Sequence, residues 1–148
     1  MVERHGPQRT SKFIVDIDGR EVPGWSSITL PGSSTEVGEY REGNEDDHTR
    51  KLWGANTYDD LEMERGCTHN DTEIWEWRQE VMYGEMTEAR VPVVVTLLNE
   101  DDEETVRYEF VNAWPSAYDP PDVDSAIDGE VATESVTVTF DKMKREET

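Results

Sequence analysis

The sequence predicts a mainly β fold: an antiparallel β-sandwich or barrel-like pair of sheets with one flanking α-helix at about residues 71–83. Apolar and polar residues alternate with period two in FIVDI, ETVRYEFV and ESVTVTF, the signature of half-buried strands. Only one stretch, TEIWEWRQEVMY, changes to helical spacing, and strands and helices never alternate as a parallel sheet would require.

The first strand sets Phe13, Val15 and Ile17 on one face and ends at Asp18-Gly19, a hairpin signal. GWSSITL and STEVGEYR follow as strands, separated by the turn former Pro31-Gly32. Residues 42–56, EGNEDDHTRKLWGAN, are expected to form a long loop, and loops beyond about 12 residues are commonly functional or disordered. Trp53 near its end either docks against another surface or folds back onto its own core; the sequence leaves both open.

Tyr58, Leu61 and Met63 lead an irregular strand that ends at Arg65-Gly66. Asn70 with Glu73 has capping-box spacing, Ile74, Trp77 and Val81 form the apolar stripe that faces the sheet, and Gly84 stops the helix. VPVVVTLLN is apolar on both faces and is expected between two layers. After the acidic turn NEDDEE come two alternating strands, joined by the corner FVNAWPSAYDPPDVD. There Phe110 should end a buried face, Trp114 fill the gap, Pro115 turn the chain out of the ladder, and Pro120-Pro121 carry it stiffly onward. Residues 1–11 are expected as a flexible N-terminal arm and 141–148 as a C-terminal tail.

At 148 residues the chain fits one domain with one core. Five Trp, five Tyr and three Phe supply bulky core material and argue against wholesale disorder. With 35 acids against 14 bases the net charge is -21, which disfavours nucleic acid and anionic membranes as bound partners. Self-repulsion of this size is relieved by salt, whose screening length falls to roughly 3 Å at about 1 M, so a halophilic host is expected. Cys67 is the only cysteine, so no internal disulfide forms. No apolar run approaches the 18 or so residues of a membrane span, and MVERHGPQRTSK has no apolar signal core behind it.

Motifs for chemistry are sparse. So many acids make any carboxylate pair uninformative for hydrolysis. His5, His48 and His69 lie in the terminus, a charged loop and a short turn, without a catalytic motif around them. Cys67 and His69 supply two zinc ligands where structural sites need four. Asp119, Asp122, Asp124 and Asp128 match no register of the EF-hand pattern, although a different calcium geometry stays open. Gly32, Gly38 and Gly43 do not form a phosphate cradle. Neither a cofactor nor a metal nor a catalytic residue is expected.

Taken in order, FIVDIDG, EYREG, KLWG, the ERG that ends a strand, IWEW, the NAWP corner with PPDVD, and the closing ESVTVTF resemble the tail-tube family, the inner-tube subunits of contractile phage tails and phage-like contractile injection systems. The family pattern runs approximately eYreG, KlpG, LkrG, lW.W, naWP.kw, pdl.a and E.l.l. No single element is specific; the ordered set is. Trp53 stands where the family usually has Pro, and Glu64 where it usually has Lys.

The resemblance implies a non-enzymatic structural subunit, six copies closing into a ring, and rings stacking into a hollow tube for DNA or a protein effector that passes without being bound. It implies a sheath, baseplate and tube-cap proteins as partners, no membrane, and a place in a virion tail or injection particle assembled in the cytoplasm. The loop from Glu42 and Gly43 through Lys51, Leu52, Trp53 and Gly54 would then reach a neighbouring subunit or ring. The alternative from another class is a monomeric β-sandwich binding module that takes calcium or carbohydrate at the Asp-rich loop 118–128.

Overall fold

Alternation and turn chemistry become one bent sheet wrapped around a single core. The structure, a computed structural model, describes residues 12–40, 50–66, 72–121 and 132–147. Strands are β1 (Phe13–Ile17), β2 (Arg20–Glu21), β3 (Trp25–Thr29), β4 (Ser33–Tyr40), β5 (Arg50–Tyr58) and β6 (Leu61–Gly66), followed by α1 (Glu73–Met82) and α2 (Met86–Ala89). The chain continues with β7 (Val91–Leu98), β8 (Glu104–Asp119), β9 (Thr133–Thr139) and β10 (Lys142–Glu147). Eight strands pair in the order β2-β1-β7-β8-β9-β6-β3, with β10 also on β8, and every pairing is antiparallel. β4 and β5 form a separate hairpin.

β8 belongs to both halves of the sheet. Its first part lies between β7 and β10, with Phe110 opposite both Val93 and Met143; its second part pairs with β9 from Trp114–Thr139 to Asp119–Ser135. The change occurs at Asn112, which adopts a left-handed φ of 53° and donates through Nδ2 to Asp141 Oδ2 at 2.9 Å. Asparagine tolerates that conformation better than most residues. Both halves then face one core: Val15, Val93, Val95 and Phe110 from one, Leu61, Met63, Val136 and Val138 from the other. Phe110 and Phe140 meet edge to face at 4.8 Å between ring centroids.

α1 closes the open side. Ile74 and Trp77 are buried and Val81 is half-buried. Trp77 Nε1 donates to the Ala89 carbonyl at 2.7 Å, which ties α1 to α2, and Arg78 Nη1 donates to the Pro115 carbonyl at 3.0 Å. Gly84, at φ 79°, ends the helix, its N–H bonded to the Val81 carbonyl. Asp18 and Gly19, at φ 54° and 76°, make the tight β1–β2 turn that their sequence announces.

Several expectations need correction. Residues 50–56 are not loop but most of β5, and residues 142–147 are not a tail but a strand on β8. A strand exposed on both faces has no binary pattern to betray it, and β10 is charged because it is a sheet edge. Pro115 does not leave the ladder: it is buried within β8 opposite Val138. The β7–β8 pairing stops at the Val91–Ala113 pair, so among the described residues no strand flanks that side of β8 at Pro115, and a proline there removes no ladder hydrogen bond. β7 is buried on the Val93–Val95 face and only half-buried at Val94. α1 begins at Glu73 after Thr72. Asn70, Asp71 and residues 1–11 lie outside the described residues.

Among the described residues, the buried charges are Arg65 and Glu134, which form a knot in the core. Arg65 is fully buried, Nε donates to Glu134 Oε1 at 2.5 Å, and its Nη2 lies 3.5 Å from Glu73 Oε2. Tyr118 donates to the other Glu134 oxygen at 2.5 Å, and the guanidinium sits 5.3 Å from the Trp25 ring centroid. Arg65 thus joins β3, β6, β9 and α1, and Glu134 adds β8 through Tyr118. Removing either partner would bury an uncompensated charge. Arg65→Leu should therefore cost about 3–5 kcal/mol in denaturant unfolding, and Arg65→Leu combined with Glu134→Leu should cost less than Arg65→Leu alone.

Candidate functional site

β4 follows β3 and β5 precedes β6 in the chain, and the β4–β5 pair forms its own two-stranded sheet outside the core. The residues 33–39 and 51–57 are exposed on both faces. Ser34 bonds Thr57 at 2.9 Å, Thr35 donates to Asn56 at 2.6 Å, and Asp59 N–H donates to the Gly32 carbonyl at the base. Gly54 lies close against β4: a Cβ there would stand 3.0 Å from Glu36 Cβ, so a side chain would need Glu36 to give by a few tenths of an ångström. Val37 faces Trp53 across the ladder, and Glu39 faces Lys51. Strand alternation places those four side chains on one face and Leu52 on the other.

Two-stranded hairpins are marginal by themselves in water. This one also exposes Trp53 by 86%, Val37 by 64% and Leu52 by 48%. Such a concentration of apolar surface on a slender element marks a contact surface. Glu42 and Gly43 lie outside the described residues. Among the other expected site residues, Lys51, Leu52, Trp53 and Gly54 are together on β5. Phe110, Trp114 and Pro115 lie within β8, with Trp114 half-buried, and Pro120 and Pro121 follow its end. Asp119 accepts from Ser135 at 3.4 Å, whereas Asp122, Asp124 and Asp128 lie outside the described residues.

The outward face of β3, β6 and β9 is a second surface. A shallow groove of about 290 Å³ there is lined by Ser27, Thr29, Glu62, Glu64, Asp119 and Thr137, without a basic residue. The outward face of the other half carries both signs, with Lys144 opposite Glu109 and Arg107 opposite Thr96.

The third surface is α1. Trp75, Met82 and Tyr83 are exposed, and Trp75 packs against Tyr118 at 5.6 Å between centroids. Beside the helix, a groove of about 230 Å³ runs to the β1–β2 turn, with Ile17, Trp77 and Val91 among its lining. Burial raises the Glu80 carboxyl above the ordinary glutamate range, and Glu85, Glu88, Asp18 and Glu76 push it the same way. Among the described residues, no group of three potential ligands could hold a metal ion.

Sequence reasoning missed Val37, Tyr83 and the Arg65–Glu134 pair. For Arg65 a signal existed: Leu61, Met63 and Arg65 share one face at period two, so a charge had to be inside. Nothing marked Val37, because its strand has no buried side.

Comparison with known proteins follows the same lines. The family model for the T4-like virus tail tube protein gp19 matches residues 9–144. A chain of the anti-feeding prophage baseplate superposes with TM-score 0.80 at 19% identity, covering 97% of this chain and 98% of that one. A chain of the PVC sheath-tube complex, an extracellular contractile injection system in its extended state, gives 0.80 at 18% identity, covering 97% and 94%. Hcp1 from Salmonella typhimurium is more distant, at 0.55 and 12% identity, covering 91% and 85%. A search of curated protein sequences brings out no match.

The raised Glu80 carboxyl has a testable sign. Stability contributed by its proton is fully present below the ordinary glutamate range and is lost as pH rises through the raised folded-state value. Glu80→Gln should give a small rise in melting temperature at neutral pH and low salt, and the gain should vanish in acid.

Proposed function

This chain belongs to the T4-like tail tube protein family, and from that premise we propose that it is a structural subunit whose copies close into hexameric rings and stack into the inner tube of a contractile phage tail or phage-like injection system. The whole chain acts as one tail-tube domain with no catalytic role. The observation that carries this reading is the β4–β5 hairpin: an element exposed on both faces, with Trp53 almost wholly in water, gains most of its stability from a neighbouring copy. The Lys51–Gly54 segment is its contact edge. Ring closure would also cover sheet edges that a lone sandwich leaves open. Sheath, baseplate and cap proteins are the expected partners, in keeping with the assemblies in which the similar chains occur.

The two outward faces suit different neighbours. The Glu62–Glu64 face, acidic and hydroxyl-lined without a cation, fits the lumen, where a negative wall repels DNA and lets cargo slide. The face of mixed charge fits the sheath. No observation favours the calcium- or carbohydrate-binding module.

Electron microscopy of the purified protein in multimolar salt should reveal six-fold rings or tubes; dispersed monomers at high concentration would overturn the assignment. Trp53→Ala should leave monomer stability within about 0.5 kcal/mol, the usual effect of a surface change, while tubes shorten markedly in sedimentation. Replacing Glu62 and Glu64 together by Lys should preserve tubes yet make them retain short DNA at low salt, which wild-type tubes should not do.

A further inference from the structure

A tube made of one chain needs a heterologous contact, in which one patch of a copy meets a different patch of the next. Resting on the reading of the hairpin as an inter-subunit arm, we propose that its Lys51–Trp53 edge docks on a second copy of this chain, on the α1 surface that runs from Tyr83 across the groove to the β1–β2 turn.

Both halves of the contact are visible on one molecule. Among the described residues, the large exposed apolar side chains fall into two groups: Val37, Leu52 and Trp53 on the hairpin, and Trp75, Met82 and Tyr83 on α1 and its C-terminal cap. Glu76, Glu80 and Tyr83 stand at i, i+4 and i+7, so Tyr83 borders the same helix flank as the groove. The groove's 230 Å³ is smaller than the roughly 300–1,000 Å³ of small-molecule sites and suits an inserted side chain, with Ile17, Trp77 and Val91 as apolar lining.

Charge selects the occupant. On a chain of net charge -21, the sequences of β4 and β5 hold two acids, Glu36 and Glu39, and two bases, Arg50 and Lys51, for a net of zero. This arm is among the least repelled parts of the molecule. Residues 73–90 hold five acids, Glu73, Glu76, Glu80, Glu85 and Glu88, against Arg78 and Arg90, and Arg78 is turned toward the Pro115 carbonyl. Arg20 is the basic residue that lines the groove, opposed there by Asp18, Glu76, Glu80 and Glu88. A cation brought in by Lys51, two residues from Trp53 on the same hairpin face, complements both the apolar lining and its acidic border.

Zero-length carbodiimide coupling of wild-type tubes tests this directly, since the chain has only four lysines. In tubes mixed from isotopically labelled and unlabelled chains, mass spectrometry should find Lys51 joined to Asp18, Glu76, Glu80, Glu85 or Glu88 of a different copy. Lys51 joined only to carboxylates elsewhere, or to none in tubes that microscopy finds intact, overturns the proposal. As a second measurement, Lys51→Glu should raise the protein concentration needed for assembly roughly tenfold at moderate salt, whereas Lys144→Glu on β10 should not. Equal behaviour of the two variants counts against the contact. Absence of rings and tubes from the wild-type protein would instead remove the tube reading on which it rests.

Discussion

The two halves of the sheet share β8, and the rest of the molecule is arranged around that continuity. A strand of 16 residues cannot stay flat over a core this small. It turns at Asn112, where a left-handed backbone and the bond to Asp141 let β9 and β10 follow it as two strands separated by the same irregularity. Beyond Ala113 no other described strand takes the place of β7 beside β8, and α1 packs on β8 there, held by Arg78 on the Pro115 carbonyl. The bend therefore decides where the helix lies, and the helix decides where the α1 groove opens.

A buried ion pair in such a core is a matter of geometry more than of net stability. Arg65 reaches strands from both sides of β6 and the first turn of α1, and it is held by Glu134, which Tyr118 orients. Apolar residues of similar volume could fill the space, but they would not tie the helix start to β9 at a fixed distance. The hairpin stands in contrast: none of its described side chains between 33–39 and 51–57 enters the core, so folding of the monomer and order of the arm are separate problems. Division of this kind lets an exposed element open locally at little cost to the core.

Much of the fold was legible in the chain. Val15, Phe110, Val136 and Val138 could be placed inside from alternation alone, and Asp18-Gly19 and Gly84 mark their turns by the φ angles that they allow. The sandwich with a helix on it followed. The proposed contact edge was legible only as a misplaced tryptophan: Trp53 was evidently unusual, yet its element looked like loop, because Arg50–Tyr58 pairs only with another exposed strand and hydrophobic pattern reports burial, not pairing. Lys142–Glu147 escaped for the same reason, as a charged edge.

By itself, then, the sequence determined which side chains must leave water and where the backbone must turn, both local properties of neighbouring residues, and, through the order of its motifs along the chain, the family. Tertiary structure alone decided that β8 serves both halves, that Pro115 stays in the ladder, that Arg65 has Glu134 as its counter-charge from 69 residues away, and that some acids line a groove on the sheet and others a groove beside α1. Those outcomes depend on which distant segments share an edge, and no spacing along the chain encodes the distance between strands that a bend brings together.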